Sequence, residues 1–319
     1  MGTTFTITVY ASDGERAEGA LEAAFARVTE LDGLLSDHDP KSELSRLSER
    51  SAGQATPVSP DLWTVLVAAA ELNELSAGAF DVTVGPLSRL WRRAWRRAEH
   101  PRAEHLARAR AAVGARHLLL DPMHRTVTLA LDGMRLDLGA IAKGYALDQV
   151  LRVLEQRGIV HALVEGGGDL AAGEPPPRRA GWHLAVEVLS DVGAPRIQIS
   201  LARAALATSG DLYQHTLIDG VRSSHIIDPR TGLGLTRRVA ATVVAGTGLR
   251  ADALASALCV LGPERGLALV ETLEGVEARL VTLEDGELRA HESSGFPSMM
   301  VPSPRPAQDG GGPRSAGVD

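Results

Sequence analysis

The run Asp137-Leu-Gly139-Ala140-Ile-Ala-Lys143-Gly144 joins a carboxylate at the end of a strand, a glycine and a lysine in the first turn of a helix. Free N–H groups at a helix start, close backbone approach at glycine and a movable cation suit phosphate oxygens. The spacing of a Walker A loop is absent, and a glycine turn with a lysine reaching for solvent accounts for the same residues. Of the 33 basic residues 31 are arginine, and Lys41 and Lys143 are the two lysines. Lys41 falls in a polar loop and reads as solvated, which leaves Lys143 as the lysine with a chemical reason to be one.

Asp252 and Ser256 stand four residues apart on a helix, hence on one face. They are hard oxygen donors of the kind Mg²⁺ accepts, although an N-capping Asp followed by a small packing Ser fits the same pattern. His225, in the turn-forming run Ser223 to Gly232, titrates near neutrality and is a candidate general base, or a structural histidine. The glycine-containing loops Thr208 to Asp211 and Gly166 to Asp169 are polar enough to line a pocket. CxxC, HExxH, GxSxG and a strand-following GxGxxG are all missing, which removes the signatures of zinc proteases, α/β-hydrolases and ordinary dinucleotide folds.

The elements around these residues are those of a globular chain. It has 319 residues, 44% hydrophobic and 23% charged, which excludes a wholly disordered or fibrous protein. Cys259 has no internal disulfide partner and lies in an apolar run, where it reads as a packed thiol. No stretch has the ~20 apolar residues needed to span a bilayer, and the opening residues lack a basic-then-apolar leader pattern, so a cytoplasmic protein is expected. Net charge is −7, which speaks against nucleic acid as a partner. Nine arginines between Arg89 and Arg116 form a local exception, read either as an anion or nucleic-acid patch or as a solvated helix face with some Glu pairing.

Thr3 to Tyr10 reads as a strand, Glu15 to Leu35 and Pro60 to Leu75 as helices, and about Ala140 to Arg157 and the stretch from about Asp252 as further helices. Asp132-Gly133 predicts a hairpin joining Thr126–Leu131 to Arg135–Leu138. Strands predominate from His161 to Ser209 and again from Arg238, with the helices grouped between them. That pattern predicts an α+β fold, one domain over 1–302 with largely antiparallel sheet flanked by helices, and a Pro/Gly-rich disordered tail over 303–319.

In order, MGT at Met1, SDHDPKSELSRL, GAFDVTVGPLSRLW, RLDLGAIAKGYALD, VEGGGDL, TSGD, SSHIIDPRTG and RADALASALCVLG resemble the ApbE family of FAD:protein FMN transferases. The resemblance covers nearly the whole chain before the tail. It implies binding of FAD with Mg²⁺ and transfer of the FMN moiety to a threonine or serine hydroxyl of an acceptor flavoprotein, with release of AMP. It also implies FAD contacts from Met1, His38, Ala79, Phe80, Asp81, Asp137, Lys143 and Ile226. The metal would take the Ala140 carbonyl and the side chains of Asp252 and Ser256, with His225, Lys143 and Asp252 as the catalytic set. His38 stands where the family usually has tyrosine, and Ser256 where it has threonine. Two other functions use the same residues: an Mg²⁺-dependent FAD pyrophosphatase giving FMN and AMP, and a flavin-binding protein without turnover.

Overall fold

The computed structural model describes residues 2–210, 215–218 and 220–301. Met1 and the tail expected over 303–319 lie outside the described residues.

Eight helices occur among them: α1 (Gly14–Leu35), α2 (Glu43–Ser48), α3 (Pro60–Leu75), α4 (Gly85–Arg97), α5 (Ala103–Ala111), α6 (Ala142–Gln156), α7 (Gly248–Leu261) and α8 (Pro263–Val270). Their starts follow local chemistry. Asp13 caps α1 by accepting from Arg16 N, and Ser59 caps α3 by accepting from Leu62 N, with Pro60 at the first helical position.

The central sheet has seven strands, in spatial order Phe5–Val9, Ala162–Gly166, Asp169–Ala172, Ala204–Gly210, Arg238–Ala245, Glu277–Glu284 and Glu287–Glu292. Spatial order equals chain order, and every neighbouring pair is antiparallel. The helices are insertions between consecutive strands. This is the α+β arrangement of antiparallel sheet and flanking helices expected from the sequence.

Alternation along the strand Arg238–Ala245 assigns the two faces of the sheet. Val239, Ala241, Val243 and Ala245 join the core formed with α6 and α7, whereas Ala240 and Val244 join a second core with Trp182, Leu184, Ile199 and Phe296. Trp182 to Ile199 come from a three-stranded sheet, Trp182–Val186, Ile197–Leu201 and Met300–Val301, that covers the far face. Helix α7 lies between the large sheet and the outer helices, and ten of its residues are buried. Such a helix is apolar almost all round, which makes the buried Asp252 an anomaly that needs partners.

One expected element differs. Thr126–Leu129 pairs backwards with Leu118–Asp121, not forwards with residues 135–138. Asp121 Oδ1 accepts from Met123 N at 2.9 Å, and Arg125 takes φ +49°, so the Asp-Pro turn at 121–125 closes the hairpin. Gly133 does turn, at φ +79°, but it sends the chain to a single parallel bridge between Arg135 and Val84. No helix among the described residues is long and apolar enough to cross a membrane.

Candidate functional site

Helices α6 and α7 cross at a pair of glycines. A Cβ on Gly144 would stand 2.0 Å from the Gly248 carbonyl oxygen, and one on Gly248 would stand 2.5 Å from that of Gly144. This contact brings the first turn of α6 against α7. Gly144 N donates to Asp252 Oδ2 at 3.1 Å, and Lys143 Nζ donates to Asp252 Oδ1 at 2.8 Å. The start of α7 is fixed by Thr247, which caps Arg250 N, and by Asp148 of α6, whose two oxygens accept from Gly248 N at 2.6 Å and Leu249 N at 3.0 Å. The capping role that Asp252 could have had therefore belongs to Thr247 and Asp148, and Asp252 sits in the helix interior, 2% exposed.

Asp169, also 2% exposed, places Oδ2 2.9 Å from Lys143 Nζ. Oδ2 is thus a buried oxygen whose partner is the Lys143 ammonium. Its Oδ1 accepts from Thr208 N at 3.2 Å. Burial and then the Asp252 charge hold the Asp169 carboxyl above the usual carboxylate range, with Lys143 opposing them. Burial also lowers the Lys143 ammonium pKa, but Asp252 and Asp169 more than offset it, so the amine stays above its ordinary value and charged. Two buried carboxylates face one ammonium, and the cluster has room for further positive charge.

Ser256, one turn beyond Asp252, lies with its Oγ 2.8 Å from Ser209 Oγ. These groups line a cleft of about 770 Å³. The same cleft is lined by His38, Ala79, Phe80, Asp81, Asp137, Ala140, His225 and Ile226. Every site residue expected from the sequence thus lies on one cavity, except Met1, which is outside the described residues. Their chemical freedom differs. Asp81 commits its carboxylate to Thr83 N, Thr83 Oγ1 and Ala115 N, which leaves its backbone to face the cleft. His38 is exposed, and His225 is half-buried.

Two groups at or beside the cleft were given no role by the sequence reading. Arg92 donates to Asp137 Oδ2 at 3.0 Å and also to Asp37, so one guanidinium ties α4, the loop after α1 and the strand-to-helix loop together. Nothing in the sequence separates it from eight neighbouring arginines. Asp169 ends the glycine loop already singled out, but its partnership with Lys143 is made by the fold alone.

The donors on the cleft suit a hard divalent cation: the Asp252 carboxylate, the Ser256 hydroxyl and the Ala140 carbonyl. No group of three or more His, Cys, Asp or Glu gathers among the described residues. A cation here would complete its shell with ligand phosphates and water, as Mg²⁺ does.

The profile of the ApbE family matches residues 1–280. The chain belongs to the ApbE family. Among its relatives, the FAD:protein FMN transferase of Vibrio cholerae is 35% identical over 301 residues, covering 93% of this chain and 89% of that protein. The Haemophilus influenzae protein of the same name is 33% identical over 307 residues, covering 93% and 88%. The flavin transferase ApbE structure from Vibrio cholerae superposes with a TM-score of 0.86 at 33% identity, covering 94% of this chain and 96% of that one. The apo flavinyl transferase ApbE of Pseudomonas stutzeri gives 0.82 at 32%, covering 94% of each. The family match runs from before the first strand to beyond α8.

Proposed function

We propose that this ApbE protein is an Mg²⁺-dependent FAD:protein FMN transferase, moving the FMN moiety of FAD to a threonine or serine hydroxyl of an acceptor flavoprotein and releasing AMP. The observation that carries the reading is the Lys143–Asp252 pair at the first turn of α6, in a cleft whose volume suits a dinucleotide.

In the reaction the acceptor oxygen bonds to the FMN-side phosphorus. The bond from that phosphorus to the bridging oxygen breaks, AMP leaves with that oxygen, and the hydroxyl proton passes to His225. Charge develops on the bridging and equatorial oxygens, so positioned cations do most of the work. Lys143 supplies one, kept ionised by its two carboxylates. Mg²⁺, when bound by Asp252, Ser256 and the Ala140 carbonyl, would supply further neutralisation of the pyrophosphate. Ala79, Phe80 and Ile226 offer apolar surface to FAD, Asp81 and Asp137 polar contacts, and His38 an exposed ring. Arg92 holds the Asp137 carboxylate in place.

The test is to follow AMP from FAD and Mg²⁺ with and without an acceptor flavoprotein. AMP release that depends on the acceptor supports transfer. AMP with free FMN in its absence would mean hydrolysis, and unchanged bound FAD with any acceptor would mean a binding protein.

A further inference from the structure

Helix α4 carries three stripes. Leu87, Trp91 and Ala94 are buried in a small core; Ser88, Arg92 and Trp95, one residue on, line the cleft; Arg89, Arg93 and Arg96, one residue further, are exposed, with Arg97 beside them. At 100° per residue, the exposed stripe adjoins the cleft-lining stripe on the side away from the core. Glutamate pairing is sparse on this face: Glu49 reaches Arg89 only as a charge beyond ion-pair distance. Asp37 and Asp137 take Arg92, and Glu49 takes Arg135 at 3.6 Å. Among the described residues Arg89, Arg93, Arg96 and Arg97 have no carboxylate at ion-pair distance. Repulsion is felt there: Arg135 above all, then burial and Arg93, holds the Arg89 guanidinium below its ordinary value.

A concentration of unpaired positive charge costs folding free energy in a chain whose net charge is −7. Its position at the lip of the cleft gives it a use. We infer that the exposed arginine face of α4 is the docking surface for the acceptor polypeptide, and that it selects acceptors with acidic residues flanking the hydroxyl to be modified. This rests on the transferase reading, in which a polypeptide must bring its hydroxyl to the cleft. Acidic flanks would pair with Arg93, Arg96 and Arg97 and turn the segment towards Arg92, while the acidic remainder of the surface repels other approaches. Such complementarity sets orientation and encounter rate and weakens with salt.

The experiment uses the full chain with FAD and a fluorescent ~20-residue peptide, one threonine flanked by Glu, against the same peptide with Gln in place of Glu, at about 0.05 M and about 0.5 M salt. The expected result is binding of the Glu peptide about tenfold tighter than the Gln peptide at low salt, with the difference lost at high salt and in the R93Q/R96Q/R97Q variant. Equal binding of the two peptides, or a variant that keeps the preference, would overturn the inference. So would tighter binding of a single-stranded RNA of equal charge, or capture by phosphatidylglycerol vesicles, which would make the face a nucleic-acid or membrane surface. None of the three arginines lines the cleft, so AMP release from FAD with an acceptor flavoprotein reports separately on the transferase reading.

Discussion

Gly144 and Gly248 meet backbone to backbone, so closely that a methyl group on Gly144 would overlap the Gly248 carbonyl oxygen at 2.0 Å. This contact, between two residues with no reactive atoms, puts Lys143 on Asp252. In an ordinary helix Gly→Ala stabilises by ~1 kcal/mol. Gly144→Ala is predicted to do the reverse, destabilising by at least ~1–3 kcal/mol through overpacking, and to cut transfer because α6 must back away from Asp252. Urea unfolding of the variant gives the sign, and a gain in stability would contradict the packing account.

Lys143 holds apart two buried carboxylates, and a methionine there leaves them facing each other. K143M is predicted to lose ~3 kcal/mol of stability and ~10³-fold in transfer rate. K143R keeps the charge, but its planar fork does not fit a seat built for a point cation, and a loss of ~10–100-fold is expected. Full activity in K143R would end the argument that lysine is required there.

Much of this was legible before the fold was known, for identifiable reasons. Helix α3 matches its expected limits, Pro60–Leu75, because Ser59 and Pro60 mark its start with local chemistry. Lys143, Asp252 and His225 stood out by residue type and spacing. The Asp132-Gly133 hairpin failed because a glycine turn reverses the chain without specifying its partner, and the Asp-Pro turn at 121–125 captured Thr126–Leu129 first. Asp169 and Arg92 were hidden because their roles arise from long-range partners, Lys143 from α6 and Asp37 and Asp137 from two loops.

Asp148 offers a pH test. Burial pushes its carboxyl up to about 6, against the two amide donors of α7. A raised folded-state value means the folded protein holds this proton where the unfolded chain has lost it. The contribution is therefore fully present below ~3.9, the unfolded value, and declines as pH rises through about 6. Relative to D148N, wild-type stability is predicted to fall by ~2 kcal/mol between pH 4 and pH 7. A flat difference would show that the amide donors and the helix dipole outweigh burial.

His38 is exposed at the rim of the cleft and presents less ring area than a tyrosine. H38Y is predicted to tighten FAD binding several-fold, read by quenching of flavin fluorescence, with little change in stability. Unchanged binding would remove His38 from the flavin contacts.

The most direct measurement is the mass of an acceptor flavoprotein after incubation with this protein, FAD and Mg²⁺, followed by mapping of the modified peptide. The account predicts a gain of one FMN moiety on a threonine or serine hydroxyl, matched by AMP, and absent with Asp252→Asn. An unmodified acceptor alongside stoichiometric FMN and AMP would contradict it and make water the nucleophile.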